Sequence, residues 1–207
     1  MCIRDSNNSR SARILWLLEE AEIDYELVRY QRDPKTNFSP DELKSIHPLG
    51  KSPVIEIDGN VIAESGAITE YLIAQYAPRL APNMNTPQYI EYLQWIHFAE
   101  SSAMLPVLLR VFGEFEKNTG TQLNFLDEYA SNEYEKVFSF LNNKLYGRQF
   151  IIGDSLSGAD IMLGFVISIA LEQFGAGKEF PHISHYADRL RKTNSWQKMQ
   201  AIESAGI

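Results

Sequence analysis

Cysteine is almost absent from this chain. Its single thiol, Cys2, has no partner for an internal disulfide, and no Cys/His grouping has the spacing of a zinc site, so no metal is implied. Basic residues are also scarce: 19 Lys and Arg against 27 Asp and Glu leave a formal charge of -8. That balance argues against a nucleic-acid partner, which needs a basic face, and against docking on a strongly anionic membrane. Long apolar runs are missing as well. The longest, residues 161–171, is far too short to span a bilayer, so no integral membrane association is expected. No apolar leader opens the chain, and a reducing, cytoplasmic location is the expectation.

What is present suffices for a real core. Hydrophobic residues make up 44% of 207 positions, enough for one large domain or two small ones. The opening Met-Cys-Ile-Arg-Asp-Ser offers one aliphatic residue followed by Arg4 and Asp5, and reads poorly as a buried strand. A truncated or replaced first strand is expected there, with a tolerated variant as the alternative. Residues 10–21 form a strong helix, with Ile14, Leu15, Trp16, Leu17 and Leu18 giving a wide apolar face. Residues 25–30 alternate like a strand, 31–38 are a polar loop, and 40–46 a short helix with Pro at its first turn. Two short strands, 54–57 and 60–63, flank Asp58-Gly59, residues that favour the positive φ angles of a tight hairpin turn. A helix over 65–76 follows.

Residues 78–87 carry three prolines and two asparagines and read as a linker. Beyond it strand signals disappear. Helical patterns cover 88–112, 123–145, 158–174 and 183–194, with a short terminal piece. The expected organisation is therefore a mixed α/β domain over 1–77, a linker over 78–87 and an all-helical domain over 88–207.

Three short motifs in the first third carry chemistry. In Asn8-Ser9-Arg10-Ser11-Ala12-Arg13, Ser9 precedes a helical run and suits an N-cap. The same geometry lets a hydroxyl donate to a bound thiolate, which the helix dipole also favours. A cysteine-type thiol has a pKa of about 8.5, and lowering it by two units takes about 2.7 kcal/mol of preferential stabilisation. One charge-assisted hydrogen bond plus the dipole is about enough. In Gly50-Lys51-Ser52-Pro53-Val54, a proline opens an edge-ward strand, and Lys51 read alone is a solvated loop lysine. In Ala63-Glu64-Ser65-Gly66, Ser65 is again a plain N-cap candidate, while free N–H groups at a helix start also bind carboxylates.

Together these motifs resemble the glutathione-binding half of the cytosolic glutathione transferases, and most closely the serine-type branch of bacteria and yeast. The resemblance runs from Asn7 to about Trp196. It implies a thioredoxin-like α/β domain followed by an all-α domain. It implies that Ser9 holds the thiol-activating position, with Asn8 one residue earlier as a second candidate and Arg10 as a pocket residue. It implies a cis Ser52–Pro53 bond, Ser52 and Val54 flanking the edge on which the peptide pairs, and Lys51 on the glycine carboxylate of glutathione. Ser65 then suits the γ-glutamyl carboxylate and Glu64 its ammonium. Arg13 is expected to be structural.

In the helical part, Leu156-Ser157-Gly158-Ala159-Asp160-Ile161 reads as a capping box with a hydrophobic staple, a structural device. His97 reads as a core or surface histidine. Met104, Leu105, Leu108 and Phe112 read as an apolar wall for a second substrate, or as ordinary core. The resemblance implies conjugation of glutathione, the co-substrate, to a hydrophobic electrophile by a homodimer. Two other classes stay open: a glutathione-dependent peroxidase or disulfide reductase, and a non-catalytic scaffold, since this fold also serves in regulatory and translation-associated proteins.

Overall fold

The structure, a computed structural model, describes residues 1–6, 9–33, 36 and 38–205. It divides into two compact units, one of residues 1–81 with 191–207 and one of residues 82–190.

The first unit is thioredoxin-like. Its sheet has the order β2-β1-β3-β4, formed by β1 (Cys2–Ser6), β2 (Glu26–Tyr30), β3 (Val54–Ile57) and β4 (Asn60–Ala63). β1 pairs parallel to β2 and antiparallel to β3, and β3 pairs antiparallel to β4. By composition this opening reads poorly as a buried strand, and it nevertheless forms one. Cys2–Ser6 is a central strand with ladder bonds on both sides, Ile3 fully buried beneath it and Arg4 paired to Glu56 on β3 at 2.6 Å. Backbone pairing supplies what the side chains lack. The β3–β4 turn is Asp58-Gly59, with φ of 49° and 78°, so both central residues take the left-handed region that a two-residue hairpin needs.

Helix α1 (Ser11–Ala21) buries all of Ile14, Leu15, Trp16, Leu17 and Leu18. A helix apolar over so wide an arc must be covered on more than one side. Part of that cover is α8 (Asn194–Ser204), where Trp196 meets the Trp16 ring edge to face at 4.7 Å. The Trp16 Nε1–H donates to the Ser195 hydroxyl at 3.0 Å, and that hydroxyl donates to Glu20 at 2.6 Å. The chain end beyond Leu190 thus belongs with the first unit, which corrects the expected helical domain of 88–207. Helix α2 (Ser65–Tyr76) follows β4 directly.

The second unit is all helical: α3 (Pro87–Phe98), α4 (Met104–Asn118), α5 (Asn124–Leu145), α6 (Gly158–Phe174) and α7 (Pro181–Arg191), whose last residue falls to the first unit. One π-helical turn, Ala99–Ala103, joins α3 to α4. Pro106 lies just beyond it; a proline there has no N–H to donate and crowds the carbonyl four residues back. No helix among the described residues is long and apolar enough to cross a membrane.

Candidate functional site

The candidate residues gather where three elements begin or end. Continuing the β1–β3 register past Arg4–Val54 brings Ser6 opposite Ser52, and their hydroxyls hydrogen-bond. The Ser52 hydroxyl also donates to Ser9 Oγ at 3.3 Å. Ser9 lies at the entrance of α1 and is only 4% exposed. Its oxygen accepts the Ser11 N–H at 3.1 Å, and its own proton goes to Ser11 Oγ at 2.9 Å. Ser11 in turn hydrogen-bonds Asp5. Burial pushes the Asp5 carboxyl up in pKa, while Ser11, Arg29 and Arg32 pull it down.

The Ser52–Pro53 bond is cis, as the sequence leads one to expect, and Pro53 and Val54 are buried. Lys51 is exposed and makes no ion pair within the described residues. One helix turn into α1, fully buried Arg13 donates from Nη1 to Ser65 Oγ at 3.0 Å, fastening the first turn of α1 to the first residue of α2. Arg13 thus bridges the two helix starts. The plain cap expected of Ser65 is not formed, because Glu64 holds the cap position and the Ser65 hydroxyl serves Arg13. Likewise the cap position of α1 falls to Arg10, although Ser9 does accept an N–H from the first helical residue. Arg10 is half-buried. Asn8 lies outside the described residues.

Glu64 is exposed and adopts φ 70°, ψ 113°. That region is costly for a residue with a Cβ, on the order of 1–3 kcal/mol, and such strain concentrates at ligand-binding positions. Nothing in the Glu64-Ser65 pair announces it. Ser11 as a partner of Ser9, and Ser6 as a partner of Ser52, were also not legible. A weak signal existed, since strand alternation from Ile3 places Asp5 and Ile3 on one side of β1.

Elsewhere in the first unit, a cleft of about 330 Å³ opens at the other end of α1, among Glu19, Glu22, Asp24, Tyr25 and Lys198. It contains none of the candidate residues. In the helical unit a cleft of about 310 Å³ is lined by Ser101, Ser102, Leu105, Pro106, Tyr129, Glu133 and Val137. Leu105 of the expected apolar wall lies in it and Phe112 is exposed, but Met104 is core, with 1% of its surface open. His97 is exposed. Among the described residues no group of three or more His, Cys, Asp or Glu could hold a metal ion.

The profile of the glutathione S-transferase N-terminal domain matches residues 6–74, and that of the C-terminal domain matches residues 102–194. The chain belongs to the glutathione S-transferase family. It is 30% identical to Glutathione S-transferase 3 of Schizosaccharomyces pombe over 190 residues, covering 86% of this chain and 78% of that one. It is 29% identical to Glutathione S-transferase 1 of Saccharomyces cerevisiae over 225 residues, covering 96% and 94%. Among solved structures, a glutathione S-transferase from Actinobacillus pleuropneumoniae superposes with a TM-score of 0.87 at 31% identity, over 98% of this chain and 92% of that one.

Proposed function

We propose that this glutathione S-transferase family member binds glutathione and conjugates its thiolate to electrophilic small molecules. The observation that carries the reading is the meeting of the α1, β3 and α2 starts through the Ser52–Ser9 and Arg13–Ser65 bonds. In this reading the α2 start and Ser65 take the γ-glutamyl carboxylate, with Glu64 on the ammonium beside it. The backbone around Ser52 and Val54 takes the peptide, and Lys51 its glycine carboxylate. The residues fit an ionic peptide, because Lys51 and Glu64 are exposed opposite charges with no ion pair inside the described chain.

Ser9 needs one change to act. Its proton is given to Ser11, and a rotation of the hydroxyl would direct it to a thiolate sulfur. Ser11 N–H and the Ser52 hydroxyl would remain as donors to the Ser9 oxygen, which keeps the group polarised. The thiol proton leaves to solvent, a C–S bond forms at the electrophilic carbon, and the leaving group departs with its electron pair. We take the active form to be a cytoplasmic homodimer, which light scattering at assay concentration checks.

Calorimetric titration with glutathione, followed by rates with an aryl halide, a hydroperoxide and a mixed disulfide, tests the proposal. Saturable binding and aryl-halide turnover are expected. Absence of glutathione binding would leave a scaffold, and turnover of the peroxide or disulfide alone would leave a reductase.

A further inference from the structure

This chain has acids to spare, yet Arg110 pairs with none of them among the described residues. Arg29, Arg79 and Arg148 each lie beside a carboxylate. Arg110 on α4 instead sits in a corner between two rings set at 80° to each other, 4.2 Å from the centroid of Tyr134 on α5 and 4.4 Å from that of Phe174 on α6. It makes no hydrogen bond or ion pair within the described residues. Three acids on α4 and α5 are committed elsewhere. Glu114, one turn along, pairs with Lys117 at 2.9 Å, Glu133 with Lys136, and Glu135 accepts the Ser139 hydroxyl at 2.9 Å.

A second orphan adjoins the first. Tyr134 is 2% exposed, and its hydroxyl has no hydrogen-bond partner among the described residues. Burial pushes its pKa up to about 12, so the group remains a donor at neutral pH. Buried polar groups are paired in the great majority of cases, and an unpaired one asks for a missing acceptor. Here a half-buried guanidinium, a five-donor group with no acceptor among the described residues, faces the very ring that carries the unpaired O–H.

We propose that the Arg110–Tyr134–Phe174 corner of the helical unit is a binding site for a small monocarboxylate. A carboxylate is acceptor-only, planar, and matched to the guanidinium fork. One positive charge suits one negative charge, and Glu135 and Glu179, whose fields reach Tyr134, disfavour a dianion such as phosphate. The two rings hold the cation in place without consuming a donor. The site lies wholly within the helical unit and does not depend on the glutathione reading.

Benzoate, with neutral benzamide as its isosteric control, tests this on the full chain by calorimetric titration. Benzoate should bind and benzamide should not. Arg110→Met, which keeps bulk in the corner, should weaken benzoate about tenfold, and Tyr134→Phe about fivefold, for the loss of a charge-assisted and a single hydrogen bond. Saturating glutathione should leave the benzoate constant unchanged. If Arg110→Met proves unfolded by circular dichroism, Arg110→Lys, which keeps the charge and loses the fork, should weaken benzoate by an intermediate amount. The proposal is overturned by equal binding of benzoate and benzamide, by unchanged benzoate binding in the folded variants, by displacement with glutathione, or by no binding at all, which would leave water as the partner.

Discussion

Ser9 and Ser157 are both serines at the entrance of a buried helix, and they have opposite surroundings. Ser157 opens α6 with a complete capping box: its N–H and hydroxyl both donate to Asp160 Oδ2, at 2.8 and 2.6 Å. Asp160 Oδ1 takes the Ile151 N–H at 2.8 Å and the Tyr186 hydroxyl at 2.6 Å. Burial raises the Asp160 carboxyl's pKa, while these four donors pull it back. Every group has its partner inside the unit. Ser9 belongs to a chain of hydroxyls, Ser6, Ser52, Ser9 and Ser11, in which protons can be re-aimed by rotation alone. Beside it in the sequence of site residues stand an exposed lysine, an exposed glutamate with a strained backbone, and an edge where β3 stops pairing with β1. The closed arrangement stabilises; the open one has capacity left for a ligand.

The comparison breaks most visibly at Asp160. Asp160→Ala leaves two N–H groups and two hydroxyls without their acceptor in a buried place, and should cost about 4 kcal/mol of stability. Urea denaturation followed by circular dichroism measures it; a loss under 1 kcal/mol would mean the network is dispensable. At the open end, Glu64→Ala with Ser65→Ala should weaken glutathione by about 2 kcal/mol while the melting temperature moves little. Collapse of the melting temperature with affinity retained would make the pair structural, through the Arg13 bond.

The paired serine substitutions sharpen the contrast further. Ser9→Ala should raise the midpoint of the pH–rate profile by about one unit, worth about 1.4 kcal/mol, and slow conjugation at neutral pH about tenfold. A depressed thiol pKa means thiolate is lost first at low pH, so removing the donor moves the whole profile alkaline. Binding of an S-alkyl glutathione, which has no thiol proton, should hold. The smallest effect belongs to Ser157→Ala: about 1 kcal/mol of stability and no movement of the pH–rate midpoint. A shift of that midpoint in Ser157→Ala, or its absence in Ser9→Ala, would erase the distinction between the two helix starts.

Much of this was legible because the signals are local. Asp58-Gly59 specifies its hairpin within two residues, since few side chains tolerate positive φ. Ser157 and Asp160 specify their box within four, because the helix itself sets the spacing. The motif order around Ser9, Ser52-Pro53 and Glu64-Ser65 resembles one family in the sequence itself.

Other features depend on partners far along the chain. Asp5 and Arg4 make a poor buried strand by composition, yet β2 and β3 supply ladder bonds on either side, and Glu56 and Arg29 supply opposite charges. The terminal helix carries no mark of the unit it joins; Trp16, 180 positions away from Trp196, is what it packs on. Met104 looks identical in pattern to Leu105, and only the packing around the π turn turns one into core and leaves the other beside a cleft. Sequence alone determined the Asp58-Gly59 turn, the Ser157 capping box and the family, because each is written in neighbouring residues. Tertiary structure decided the direction of the Ser9 proton, the strain at Glu64 and the unpaired Arg110, because each depends on which distant groups arrive and which do not.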